Sequence, residues 1–118
     1  MLKIREELKI YLYSYPTDMR KAINGLAALV MDELGFNPSN GAVYIFWNHK
    51  LDRVKILFYD RNGFVLYYKI LTKKQFSIIR SQTSKYHELT IEQLDWLLAG
   101  LDVEILQDFP ELNYSYFY

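Results

Sequence analysis

Three segments rich in β-branched and aromatic residues alternate with short polar turns between residues 41 and 71. The segments are 42–47, 54–59 and 64–70. Such composition, bounded by turn residues, is typical of β-strands, so this region predicts an antiparallel meander of three strands. Asn62 and Gly63 in the second turn tolerate the positive φ of a primed hairpin turn.

Both faces of the predicted meander are apolar. Side chains alternate between the two faces of a strand, which puts the odd-numbered residues of 43–47 on one side and the even-numbered ones on the other. Such a sheet needs a cover on each side, from helices of its own chain or from a partner. A further aromatic-rich segment at 10–15, ended by Pro16, predicts a fourth strand.

The first of three predicted helices follows this segment. Its apolar residues recur at three- and four-residue spacing up to Gly35, and Thr17 or Asp18 supplies the N-cap oxygen. These apolar residues are Met19, Ile23, Leu26, Ala27, Val30 and Leu34. Gly25 within the helix is unfavourable by roughly 1 kcal/mol relative to alanine, and it therefore predicts the close approach of another backbone.

The other two helices are predicted from capping-box spacing, in which a residue and the third one after it satisfy each other's backbone N–H groups. The pairs are Thr72 with Gln75 and Thr90 with Gln93. The first pair predicts a helix to about Ser81. The second predicts a helix that ends near Gly100. Its apolar face is formed by Leu94, Leu97, Leu98 and Leu101, and residues 82–88 are predicted to form a polar loop before it.

These elements together predict a single α+β domain over residues 1–118, in which a small antiparallel β-meander of three to four strands packs against three helices. A length of 118 residues with 51% hydrophobic content suits one domain with its own core. Residues 103–118 are expected to form a peripheral C-terminal tail that is acidic and rich in tyrosine.

Composition excludes several kinds of chemistry. The chain has no cysteine, and its two histidines, His49 and His87, show no metal-ligand spacing. We therefore predict no metal and no cofactor. No apolar run is long enough to cross a bilayer, and residues 1–7 lack the apolar stretch of a signal peptide, so a cytoplasmic protein without membrane contact is expected.

Charge is distributed unevenly, although the chain as a whole is neutral. Residues 20–85 hold eleven basic and four acidic side chains, a net charge of +7, whereas residues 86–118 hold seven acidic side chains and no lysine or arginine. A basic middle segment suits nucleic acid or an acidic protein as a partner. The acidic segment could either neutralise it or bind a separate partner.

Seven basic residues around the meander are the candidate contacts for nucleic acid or a partner protein. They are Arg20, Lys21, Lys50, Arg53, Lys55, Arg61 and Lys69. Cations near exposed tyrosines can bind phosphates and stack unpaired bases. The alternative is that they are ordinary solvated side chains, some of them paired with acidic neighbours. Lys55 and Lys69 stand out because they lie inside predicted strands.

Catalytic interpretations have weaker support. The aspartates that could form a metal-binding set for a nuclease are Asp18, Asp52, Asp60 and Asp102. Each sits where an N-cap, a turn or a helix end favours an aspartate. No pattern of hydroxyl, histidine or glycine residues indicates a hydrolase or a phosphate-binding loop, and the aromatic residues favour protein association over a small-molecule pocket. We therefore predict that the chain is not an enzyme.

Many short motifs follow one another in a characteristic order from about Pro16 to Asp102. They are the Pro-Thr-Asp-Met-Arg-Lys run from Pro16, Gly25-Leu26, Gly35, Pro38, Gly41, Phe46, Asn48, Asp52-Arg53, Lys55-Ile56-Leu57, Tyr59-Asp60, Gly63-Phe64, Leu66, Tyr68-Lys69, Phe76, Leu89-Thr90, Gln93-Leu94, Leu97-Leu98, Gly100 and Asp102. In this order they resemble the second open-reading-frame product of the insertion sequence 66 family of bacterial transposable elements. The first turn is less basic than is typical of that family, which has a run of arginines and a glycine there.

The resemblance implies a non-catalytic accessory factor that works beside a separate transposase. The partners it implies are the transposase of the same element and element DNA; a second copy of the chain is a further candidate. One hypothesis is that the domain joins transposase to DNA through its basic residues. The alternative is a pure protein–protein interaction module that binds transposase without touching DNA.

Overall fold

The computed structural model describes residues 8–78 and 84–100 as a five-stranded sheet with two helices. The strands are β1 (Ile10–Tyr13), β2 (Val43–Trp47), β3 (Arg53–Asp60), β4 (Gly63–Ile70) and β5 (Tyr86–Leu89). Helix α1 (Ile23–Leu29) continues into a π-helical segment (Val30–Leu34), and α2 is Ile91–Leu98. The α+β class is therefore confirmed, with two helices in place of the predicted three.

The sheet is mixed, with the strand order β4-β3-β2-β1-β5. The predicted meander is confirmed as β2, β3 and β4, which pair antiparallel in sequence. The predicted fourth strand, β1, pairs with β2 in parallel. A parallel pair needs a crossover connection, and α1 with its π-helical extension provides it. An antiparallel fifth strand, β5, flanks β1 on its other side.

Both faces of the central strands β2 and β3 are covered, as their apolar character predicts. On one face, Leu26 and Val30 of the α1 crossover pack over Tyr44, Phe46 and Leu57. On the other, Phe76, Leu94 and Leu97 pack over a second set of strand residues. This second set includes Ile10, Leu12, Val43, Ile45, Trp47, Val54, Ile56 and Phe58. The sheet therefore separates two cores.

The helix predicted from Thr72 to about Ser81 is wrong for its described residues, because residues 72–78 form an irregular segment. Within it, the Phe76 N–H donates to the Leu51 carbonyl at 2.6 Å. Phe76 and Ile78 are both buried, at 2% and 5% exposure. Residues two apart point in different directions on a helix and in the same direction on an extended chain, so burial of both fits the non-helical backbone of this segment. Residues 79–83 lie outside the described residues.

The polar loop predicted for residues 82–88 is also wrong in part. Tyr86–Leu89 forms β5, which pairs antiparallel with β1. The register places Ile10 opposite Leu89 and Tyr13 opposite Tyr86. Leu89 is buried, and the Tyr86 ring meets the Tyr11 ring edge-on at 5.0 Å. Without β5, the outer edge of β1 would expose its backbone donors and acceptors, which this short strand satisfies.

Helix α1 begins later than predicted. Its N-cap is Ala22 and not Thr17 or Asp18, although the π-helical segment that continues it ends at Gly35, with a φ of 72°, as expected. Asp18 instead accepts a hydrogen bond from the Arg20 N–H at 2.9 Å. The predicted close approach of another backbone to Gly25 is wrong as well, because the nearest atoms to a Cβ there would belong to the Lys21 side chain, at 3.3 Å.

The capping box that starts α2 is confirmed. The Thr90 hydroxyl accepts from the Gln93 N–H at 3.1 Å, and the Gln93 side chain accepts from the Thr90 N–H at 2.9 Å. Gly100 follows the helix with a φ of 81°. The β3–β4 turn differs in one detail, because Arg61, with a φ of 54°, takes the positive φ expected at Asn62 and Gly63.

His87 gives the fold a predictable response to pH. Burial lowers the pKa of His87 below its ordinary value of 6.5, and its Nε2 has no hydrogen-bond partner. The unfolded chain therefore takes up the proton first, and the free energy of unfolding should fall as pH drops through 6.5. Urea unfolding at pH 7.5 and 5.5 should show this fall reduced in His87→Gln and unchanged in His49→Gln, which alters an exposed histidine. Equal falls in all three proteins would contradict the prediction.

Candidate nucleic-acid interface

Loops from four parts of the chain meet at one end of the sheet. The strand register places the last residue of β2, Trp47, beside Val54 at the start of β3 and places Val54 beside Lys69 near the end of β4. The chain leaving β1 reaches the same end, because the Thr17 N–H donates to the Trp47 carbonyl at 2.7 Å. Segment 72–78 reaches it too, through a bond from Gln75 Nε2 to the Lys50 carbonyl at 2.7 Å.

Six exposed cations project from these loops and from the first residue of β3, and we call this group the basic end. Its members are Arg20, Lys21, Lys50, Arg53, Lys73 and Lys74. Two carboxylates, Asp18 and Asp52, lie among them. The group therefore keeps an excess of positive charge on one end of the molecule.

The β2–β3 turn holds its shape through Asn48. The Asn48 side-chain oxygen accepts from the N–H groups of Asp52 at 3.1 Å and Arg53 at 2.9 Å, and its amide nitrogen donates to the Asp52 carboxylate at 2.6 Å. Leu51 takes a φ of 62° within the turn and packs its side chain against the core. Lys50 is consequently turned outwards into solvent.

Lys55 is buried, and its ammonium group forms hydrogen bonds within the protein. Only 7% of the residue is exposed, and its Nζ donates to the carbonyls of Met19 at 2.7 Å and Lys21 at 2.8 Å. The ammonium also lies 4.7 Å from the centre of the Tyr68 ring, a cation–π distance. In a continuous helix the Met19 carbonyl would accept from Ile23, so Lys55 explains both the late start of α1 and the fixed position of residues 19–21.

Lys69 has a comparable internal role. Its Nζ donates to the carbonyl of Leu98, the last residue of α2, at 2.6 Å. A cation at this position compensates the negative end of the helix dipole and supplies a donor for a carbonyl that the helix leaves unpaired. The two strand lysines thus fix the α1 and α2 sides of the sheet, while nucleic-acid contact by either one stays a prediction.

The arginines of the basic end have acidic neighbours. Hydrogen bonds from the Arg20 side chain and N–H lower the pKa of Asp18 to about 2. Yet the Arg20 side chain is 92% exposed, which leaves most of the guanidinium surface open. Arg53 lies 4.0 Å from the Asp52 carboxylate and donates to the Tyr68 hydroxyl at 3.2 Å. Both arginines therefore remain positioned to meet an anion from solvent.

Arg61 is the one candidate that the structure separates from the others. It lies at the tip of the β3–β4 hairpin, where its side chain is 90% exposed and its Nε is 3.6 Å from the Asp60 carboxylate. The eight residues of β3 lie between it and the basic end, a span of about 26 Å at 3.3 Å per residue. A single short stretch of DNA backbone touching both would have to run the length of the strand.

Lys73 and Lys74 were not among the sequence candidates. They lie within the basic middle segment, but the helix predicted for residues 72–81 gave no indication that they lie beside the β2–β3 turn. The structure places them on the irregular segment beside Lys50, where the Lys74 side chain packs against Gly100. Their signal in the sequence was the charge excess alone.

The carboxylates do not assemble into a metal site among residues 8–78 and 84–100. In this part of the chain no group of three or more histidine, aspartate or glutamate side chains is arranged to hold a metal ion. Asp60 lies at the hairpin tip, at the other end of β3 from Asp52. Asp102 lies outside the described residues. Over the same residues, no helix is long and apolar enough to span a membrane.

The fold and this surface define a small α+β protein whose mixed sheet carries a cluster of cations at one end. The chain belongs to the family described as IS66 Orf2 like protein, whose model matches residues 8–108. Membership confirms the resemblance seen in the sequence motifs. It implies an accessory role in transposition.

Two relatives from Sinorhizobium fredii extend this result. The uncharacterized protein y4jC is 32% identical over 95 residues, which cover 80% of each chain. The uncharacterized protein y4hO is 28% identical over 102 residues, which cover 86% of this chain and 88% of the relative. No solved structure matches the chain.

Proposed function

We propose that the chain is a non-catalytic accessory protein of insertion-sequence transposition that helps to assemble the transposase of its element with element DNA. In this proposal the basic end binds the DNA backbone. The observation that carries it is the arrangement of the lysines. Lys55 and Lys69 are bonded to backbone carbonyls, and the loops held in place around them present the six cations of the basic end to solvent.

Phosphate binding is the chemistry that suits this surface. Lysine and arginine side chains displace condensed counterions from DNA, which gives affinity without sequence preference. Tyr68, 43% exposed beside Arg53, adds an aromatic ring on which an unpaired base can stack. Such contacts position DNA and do not read its sequence, which suits an accessory factor whose partner selects the site.

A pure protein-interaction module is the second candidate, and a different observation favours it. Four large apolar side chains of β4 are exposed, and exposed apolar patches mark surfaces for protein association. They are Val65, Tyr67, Tyr68 and Ile70. In this alternative the chain binds transposase through apolar contacts, and its cations only keep the surface solvated.

Two double variants with equal charge changes distinguish these functions. Lys50→Ala with Lys73→Ala removes two cations from the basic end. Lys9→Ala with Arg61→Ala removes two from the opposite end of the sheet. Binding of fluorescent duplex and single-stranded DNA should be measured by anisotropy at several salt concentrations, with urea unfolding as a check on folding.

If DNA binds through the basic end, the affinity for DNA should fall at least tenfold in the first double variant. Removal of each lysine that binds a phosphate should also lower the salt slope of log K by about 1. The second double variant should bind like the wild type. No binding by the wild type at low salt, or equal losses of affinity in both variants, would contradict DNA contact at this surface and favour the protein-interaction module.

A further inference from the structure

Strand β4 forms one outer edge of the sheet, and no other strand among residues 8–78 and 84–100 pairs with its far side. The strand is eight residues long. Its register with β3 runs without a bulge from Arg53 opposite Ile70 to Asp60 opposite Gly63. A long regular edge of this kind is a template for pairing with another strand.

The register identifies which backbone groups face outwards. The Leu71 N–H donates to the Asp52 carbonyl, and hydrogen-bonded pairs alternate along an antiparallel ladder. The odd-numbered residues of β4 therefore bond to β3. The even-numbered residues direct their N–H and C=O groups away from the sheet. These outward residues are Phe64, Leu66, Tyr68 and Ile70.

Within the part of the chain that the structure describes, β4 shows none of the devices that normally protect an edge strand. The strand contains no proline and no bulge, and its single charged side chain, Lys69, is bonded to the Leu98 carbonyl. Its four exposed apolar side chains are 39–46% exposed and lie on both faces of the strand. The opposite edge of the sheet is different, because β5 has only four residues and carries the Lys9–Glu88 ion pair beside it.

We propose that β4 pairs antiparallel with β4 of a second copy of this chain, so that two sheets join into one across a two-fold axis. An antiparallel edge is complementary to itself, since the donors of one copy face the acceptors of the other. The absence of an outward charge on β4 removes the like-charge contact that a two-fold axis would otherwise create. This proposal goes beyond the proposed function and does not depend on DNA binding.

The area available suits a weak dimer. A fully covered tyrosine buries roughly 150–250 Å², and Tyr67 and Tyr68 are each about two-fifths exposed. Together with the exposed parts of Val65 and Ile70, this gives on the order of a few hundred Å² per copy, so the paired area stays below the roughly 1,200 Å² at which stable specific interfaces begin and lies in the range of weak complexes. We therefore expect a dimer whose population rises over micromolar protein concentrations. The joined sheet would carry a basic end at each of its two ends, a consequence that rests on the proposed function.

Sedimentation velocity of the full chain over a wide concentration range tests the dimer. The wild type should shift from monomer to dimer as concentration rises. Tyr67→Lys and, separately, Val65→Lys should raise the dissociation constant of the dimer at least tenfold, because each places a cation on the paired strand. Met31→Lys, which alters an exposed apolar residue outside the sheet, should dimerise like the wild type.

Hydrogen exchange at low and high protein concentration locates the interface. The outward amides of Leu66 and Tyr68 should become more protected as the dimer forms, while those of Val65 and Tyr67, already bonded to β3, should change little. A monomer at every concentration would overturn the proposal. So would a dimer that survives both lysine variants, or outward amides whose protection does not depend on concentration.

Discussion

Lys55→Met is expected to lower the free energy of unfolding by about 2–4 kcal/mol. The two hydrogen bonds that are removed contribute roughly 1.5–3 kcal/mol each, and the desolvation cost of the buried ammonium, which methionine does not have, offsets part of their sum. The substitution keeps an unbranched side chain of similar length but removes the ammonium. The carbonyls of Met19 and Lys21 then lose their donor, and the Tyr68 ring loses its cation. Residues 19–21 should detach from β3 as a result.

Urea unfolding of Lys55→Met and Lys50→Met measures this effect against a matched control. Lys50 is an exposed lysine of the neighbouring turn, and its replacement should change stability by no more than about 0.5 kcal/mol. Similar stabilities for the two variants would contradict the structural role of Lys55. In that case the lysine would again be a candidate for direct contact with nucleic acid.

Phe76→Ala is expected to lower the free energy of unfolding by about 3–5 kcal/mol, the range for removal of a buried phenylalanine ring. Phe76 is 2% exposed and belongs to the core cluster that lies between the sheet and α2. Its N–H also fixes segment 72–78 to the β2–β3 turn through Leu51. The segment that carries Lys73 and Lys74 therefore depends on this ring for its position.

Lys73→Ala, three residues away on the same segment and exposed, provides the control and should change stability by less than about 0.5 kcal/mol. Both variants should be measured by urea and by thermal unfolding. A loss of stability below about 1 kcal/mol in Phe76→Ala would mean that this segment does not pack as described, since surface substitutions fall in that range.

Strands could be predicted from the sequence because their signal is local and repeated. In β2, every residue from Val43 to Trp47 is β-branched or aromatic and every one is buried. This matches a strand covered on both faces. The parallel pairing of β1 with β2 could not be predicted, because it depends on where the α1 crossover returns the chain.

The two capping-box pairs show why the helices were predicted unequally well. Thr90 with Gln93 is followed by Leu94, Leu97 and Leu98, whose three- and four-residue spacing supports the helix that forms. Thr72 with Gln75 is followed by Phe76 and Ile78, two residues apart, which both enter the core. A capping-box pair alone therefore does not establish a helix.

The basic surface could be predicted in charge but not in arrangement. The excess of cations in residues 20–85 is visible in the sequence. The internal bonds of Lys55 and Lys69 depend on carbonyls that lie 36 and 29 residues away in the chain, those of Met19 and Leu98. The separation of Arg61 from the other candidates likewise follows from the hairpin register. A lysine inside an otherwise apolar strand was the one local sign of these internal roles.

The most direct test of the accessory role is reconstitution with the transposase of the same element and a duplex that carries an element end. The fraction of duplex held in the transposase complex should rise when the wild-type chain is added, and rise equally with the Lys9→Ala, Arg61→Ala variant. It should not rise with the Lys50→Ala, Lys73→Ala variant, and the chain alone should not cleave DNA with Mg²⁺. An equal yield of complex without the chain, or cleavage by the chain alone, would contradict this role.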